Sequence, residues 1–307
     1  MRYENPVRSI VCVAATILLT AVFALRASAA ALEADAIAKA SGTAATAQPD
    51  GVVRIGWLRT DVSVTVDGTV LPPAAGLGSW AAFAPMPNGD AMVMGDTVVF
   101  ADEVDAAMDA AFANRLEVTA IHNHFFHDTP AVYFMHIGGQ GEPETLAIAV
   151  KAVWDAIRSV RRAHALPVDT FGGASPSTGQ LDAAVIERIV GQPAPVTQGV
   201  PKVTIGRAAS MHGISIGGSM GLTTWAAFAG SDQLAAMDGD FIMSPAEVQP
   251  VLKALRKNNI HVVALHTHMI GESPTLYFAH FWSKGTPTDL ARALRSALDA
   301  QAAAPTA

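Results

Sequence analysis

Two histidine-rich blocks hold the side chains best suited to chemistry. The first runs His122-Asn123-His124-Phe125-Phe126-His127-Asp128-Thr129-Pro130 and reaches on to His136. The second runs His266-Thr267-His268-Met269-Ile270-Gly271-Glu272-Ser273-Pro274 and reaches on to His280. On a β-strand, residues i and i+2 project from one face about 6.5–7 Å apart, so each H-x-H pair can direct two imidazoles at one point. A carboxylate four residues after the second histidine, Asp128 or Glu272, sits in a loop from which it can turn back. The following strand then delivers a third histidine. The spacing predicts two convergent quartets, His122, His124, Asp128 and His136, and His266, His268, Glu272 and His280. These are the expected metal ligands, with Glu272 and Asp128 also the expected acid–base groups.

Three imidazoles and a carboxylate suit a divalent metal such as Zn, Fe(II) or Mn, and residue types alone do not choose among them. An open coordination position makes bound water acidic enough to act as a nucleophile near neutral pH. The leading expectation is therefore a metal-binding protein with hydrolase-type chemistry on a small or cell-envelope ligand. The alternative is a non-catalytic binding module whose histidines hold a ligand without metal. Asp96 and Asp240, each preceded by glycine, are read either as hydrogen-bond acceptors for a ligand histidine or as turn or bulge positions. His127 faces Gly271 in the other block and reads as a surface residue.

The elements that must position these side chains occur twice. Trp80-Ala81-Ala82-Phe83-Ala84 recurs as Trp225-Ala226-Ala227-Phe228-Ala229, and Gly95-Asp96 recurs as Gly239-Asp240. Asn114 to His136 aligns without a gap on Asn258 to His280 at an offset of 144, with 9 identities in 23 positions. The chain divides into a first repeat over 31–165, a Pro/Gly/Ser-rich linker over 166–180 and a second repeat over 181–303. Within each repeat, Trp80 to Ala84 and Ala91 to Phe100 read as a hairpin around Pro87-Asn88-Gly89-Asp90. A helix follows, its start marked in the second copy by Ser244, Pro245 and Glu247. The first copy has Phe100 where Ser244 stands, a weaker start. Next come the histidine strand, a short loop, a second strand and a closing helix with Leu146, Val150, Val153 and Ile157 or Leu290, Leu294 and Leu298 inward. The expected fold is α+β, two tandem ββαββα units, each an antiparallel or mixed sheet with helices packed on one face. Trp80 and Trp225 are expected in the core.

Composition limits the partners. The 307 residues are 50% hydrophobic and 15% charged, with a net charge of −7 and no long basic run, which argues against nucleic-acid binding. Arg2 and Arg8 precede an apolar run from Ile10 to Leu25, and Ala27-Ser28-Ala29 offers a small-x-small cleavage pattern, so 1–29 reads as a signal peptide. Cleavage removes Cys12, the only cysteine, leaving histidine nitrogen and carboxylate oxygen as the expected metal donors. No later segment is apolar enough to span a membrane. The expected product is exported, periplasmic or extracellular.

The pattern G-D, H-N-H, P and Y-F-x-H, preceded by G-S-W-A-A-F and an export signal, resembles the LppY/LpqO-like family of bacterial exported proteins, a domain of unknown function present here in two tandem copies, the second with Thr267 in place of the Asn. The resemblance covers nearly all of the chain after residue 29. It implies an exported bacterial protein and supplies no established activity. It also implies a Glu in the loop after the histidine pair, which Glu272 provides and the shorter Asp128 replaces. On that ground the second copy is the better candidate for an active site.

Overall fold

The computed structural model describes residues 31–305; the signal-peptide reading falls outside them. The first half contains α1 (Ala34–Ser41), β1 (Ala45–Ala47), β2 (Val53–Leu58), β3 (Thr65–Val66), β4 (Thr69–Val70), β5 (Gly78–Pro85), β6 (Ala91–Phe100), α2 (Val104–Ala113), β7 (Glu117–His122), β8 (Asp128–Thr129), β9 (Val132–Gly141) and α3 (Pro143–Ala163). The second contains α4 (Ala183–Val190), β10 (Val196–Thr197), β11 (Val200–Gly206), β12 (Ala209–Met211), β13 (Ile214–Ile216), β14 (Thr223–Gly230), β15 (Ala235–Met243), α5 (Pro245–Lys257), β16 (His261–His266), β17 (Tyr277–Gly285) and α6 (Pro287–Ala302). This is an α+β fold. The matching stretches Leu32 to Gly42 and Leu181 to Gly191, which read as a helical lead-in to each repeat, form α1 and α4, and each half also carries short strands beyond the expected six elements.

The two halves do not keep separate sheets. Twelve strands form one antiparallel sheet in the order β1-β2-β5-β6-β9-β7-β16-β17-β15-β14-β11-β10. Its midline is the pairing of β7 with β16, where Ile121 faces Leu265. Those residues are equivalent in the two copies, so an approximate twofold axis passes between them. The expectation of two sheets is corrected for a physical reason: β7 and β16 would each be a bare edge in an isolated unit, and pairing satisfies both.

Strand alternation decides which face is buried. Ala81, Phe83, Val93, Met135 and Ile137, with Phe228, Met237 and Phe281, share one core with inward stripes from all six helices. The predicted stripes of α3 and α6 are buried there. Ser244 and Glu247 form the capping box expected for α5, with Pro245 at its first position. The weaker start of α2 is secured by Glu103, which accepts the Phe100 N–H and pairs with the buried Arg59. Arg207 and Glu247 repeat that pair in the second half.

The opposite face carries two small apolar clusters. Val62, Val64 and Leu77 cover Val98, Phe100, Val132 and Phe134, while Ile216 and Leu222 cover Ile242, Leu276 and Phe278. Trp80 and Trp225 lie half-buried on this face, correcting the core expectation; Arg54 and Lys202 rest on their rings at 4.6 and 4.1 Å. The segment between α3 and α4 has no helix or strand. Phe171 in it stacks on His261 at 3.8 Å.

Candidate metal centres

β17 places Phe278 and His280 on the face opposite the helices, and β16 places His266 beside them, with Phe278 opposite His266 and His280 opposite Ala264. His268, just past β16, folds back so that its ring lies flat on Phe278, 3.4 Å between centroids and 8° between planes. His266 stands 5.1 Å from both His268 and His280, centroid to centroid. Each of the three rings presents one nitrogen, and these nitrogens all lie within 4.8 Å of one another.

The first copy repeats the ring stacking, but among the described residues only His266, His268 and His280 bring their ligand nitrogens within 4.8 Å of one another. His124 lies on Phe134 at 3.3 Å and 7°, and His122 stands 5.0 Å from His124 and 5.1 Å from His136. Here the rings of His122 and His136 approach more closely, Nε2 to Nε2 at 3.0 Å. His122 Nδ1 lies 3.3 Å from the Asn123 carbonyl, to which it can donate. In that tautomer Nε2 keeps its lone pair toward the group, as a metal-ligating histidine requires.

The carboxylate beside each group comes from a strand. Asp240 pairs directly with His280 and Asp96 with His136. Asp240 Oδ2 lies 3.6 Å from His268 Nε2, and Asp96 Oδ1 lies 3.8 Å from His136 Nε2. In both aspartates Oδ1 is buried without a hydrogen-bond partner, as is His266 Nδ1. Unpaired buried oxygens are costly, and a cation answers that cost. Of the two readings given to Asp96 and Asp240, neither a turn nor a bulge applies, because both sit inside regular ladders. The preceding glycines have another reason: a Cβ on Gly239 would come within 2.1 Å of the Phe281 ring, and one on Gly95 within 3.0 Å of Ile137.

Glu272 and Asp128 are occupied locally. Glu272 is buried and accepts the Leu276 N–H at 2.9 Å; Asp128 accepts the Val132 N–H at 2.6 Å. The grouping within 4.8 Å holds the three histidines without Glu272. His127 is exposed with a positive φ of 61°, matching Gly271 at 94°, so the turn makes this a backbone position.

Burial lowers the basicity of His266, and His268 and His280 add to the effect. Burial lowers His268 and His124 as well, against the opposing pull of Asp240 and Asp96 respectively. Asp240 itself is raised by burial, and the histidines only partly counter this. Burial thus favours the neutral form of His124, His266 and His268, the form that binds metal.

A family model described as Domain of Unknown Function (DUF1259) matches residues 35–156 and again 184–300. The chain belongs to this family. It carries the domain in two tandem copies. No curated protein matches the chain. Among solved structures it is similar to a trimeric bacterial microcompartment shell protein, PduB, at 11% identity over 83% of this chain and 89% of that one, TM-score 0.20. It is also similar to a fused permuted hexameric microcompartment shell protein, at 16% identity over 71% and 88%, TM-score 0.18. At those scores neither likeness bears on function.

Proposed function

We propose that this is an exported member of the LppY/LpqO-like group that binds a divalent metal at each of its two histidine groups and uses them on a small or cell-envelope ligand. The reading is supported above all by His266, His268 and His280, whose ring nitrogens lie within 4.8 Å of one another beside a buried aspartate. Three imidazoles with a nearby carboxylate suit Zn, Fe(II) or Mn. An ion held there supplies Lewis acidity and lowers the pKa of water, the basis of hydrolase-type chemistry. Phe278 fixes the His268 ring by stacking, and Asp240 orients the donors and can hold a proton at its free Oδ1. Glu272 holds the loop closed through the Leu276 N–H and so keeps His268 over Phe278.

A second reading has the histidines bind a ligand without metal. The close approach of His122 and His136 favours it for the first copy, since one protonated nitrogen there can donate to the other. Thermal melting of untagged protein, stripped with chelator and then supplied with Zn, Mn or Fe(II), separates the two. A rise in melting temperature with at least one ion supports metal binding, and no shift with any of them overturns it.

A further inference from the structure

Pairing of Ile121 with Leu265 fixes more than the midline. Antiparallel partners step in opposite directions, so Ala120 faces His266 and Ala264 faces His122. With the neighbouring registers this gives two rows across the exposed face of the sheet. One reads Asp96, His136, Ala120, His266, Phe278; the other reads Asp240, His280, Ala264, His122, Phe134. Each histidine group takes one strand histidine from each row. The midpoints of His122 with His136 and of His266 with His280 therefore lie at the same height along the strands, two interstrand spacings or about 10 Å apart.

The ground between the groups carries small side chains. Its floor is Ala120 and Ala264, both partly exposed. The two apolar clusters of this face rest on β6 and β9 and on β15 and β17, outboard of the central pair. Phe126 and Ile270, equivalent residues at the tips of the two histidine loops, are 80% and 91% exposed.

We propose that the two histidine groups form one bipartite site, which takes a single extended ligand carrying an acidic, metal-coordinating group at each end, of the aliphatic dicarboxylate class. This rests on the metal-binding reading above. The two ends reach the two groups while the apolar spacer lies along the alanine floor. Once one end is bound, the other binds from an effective concentration in the millimolar range, so a diacid outbinds the matching monoacid without any new contact.

Titration calorimetry on the Zn-loaded protein tests this with succinate, glutarate and adipate against acetate. One diacid should bind per chain, at least about tenfold more tightly than acetate for the best-fitting spacer. His122→Ala and His280→Ala, made separately and checked by melting, should each return the diacid to acetate-like affinity while one group still binds acetate. Two Zn per chain with diacid and acetate binding alike, or unchanged diacid binding in both variants, overturns the bipartite site and leaves the metal reading standing. If the unaltered protein retains none of Zn, Mn or Fe(II), both readings are overturned.

Discussion

Ile121 on β7 lies directly opposite Leu265 on β16, and the two are one position of the repeat met twice, 144 residues apart. Each is almost fully buried in a core shared by both halves. The halves should therefore unfold together. Leu265→Ala should cost about 2–5 kcal/mol, lowering the melting temperature by about 2–4 °C for each kcal/mol, in a single calorimetric transition. Two separated transitions in the unaltered protein would contradict a continuous core.

Gly239 and Gly95 differ in how much room they leave. A methyl on Gly239 would come within 2.1 Å of the Phe281 ring and 2.6 Å of the Trp225 carbonyl, whereas one on Gly95 would stay 3.0 Å from both Ile137 and the Trp80 carbonyl. Gly239→Ala should destabilise by about 2–3 kcal/mol or more, and Gly95→Ala by about 1. Denaturant midpoints check this; equal losses would mean that the fit around Phe281 is looser than described.

Asp240 is 3% exposed, with one oxygen lacking a partner. In the metal-free protein that is a burden. Asp240→Asn should raise the melting temperature of the chelated protein by about 2–4 °C, equivalent to about 1 kcal/mol. The same change should weaken metal binding about 10–100-fold, as loss of an orienting carboxylate does. A variant less stable without metal, or equally tight with it, counts against this role.

Acid should weaken the metal-free fold through the histidines. His266 and His268 are held below 6.5 by burial, so as the pH falls past 6.5 the unfolded chain takes up protons first and gains relative to the folded one. Asp240, held above 3.8, has the opposite sign: the folded state binds its proton first. His266→Gln removes one acid-sensitive group. Its urea midpoint should fall less between about pH 7.5 and about pH 5.5 than that of the unaltered protein. An equal or greater fall would show that His266 protonates as readily folded as unfolded.

Much of this was legible in the residues. The duplication, the histidine spacing and the α5 capping box depend on local order, which the sequence carries openly. The single sheet was not legible, because the pairing of Ile121 with Leu265 joins strands far apart in the chain and leaves no periodic trace. The carboxylate was legible in part: Asp96 and Asp240 could be read as acceptors for a histidine, but choosing that over a turn or bulge, and over the suggestive spacing of Glu272, depends on which residue of β15 stands opposite His280, a matter of register. Phe134 and Phe278 are the matching phenylalanines of the two Y-F-x-H stretches, yet only the fold-back of His124 and His268 shows what they carry.

The central claim is that His266, His268 and His280, and their counterparts in the first half, hold divalent ions. Elemental analysis of untagged protein dialysed in turn against Zn, Mn and Fe(II) after purification tests it most directly. Two ions per chain are predicted, falling to one when His266 and His268 are both replaced by alanine. No bound metal in the unaltered protein, or the same content in the variant, would contradict it.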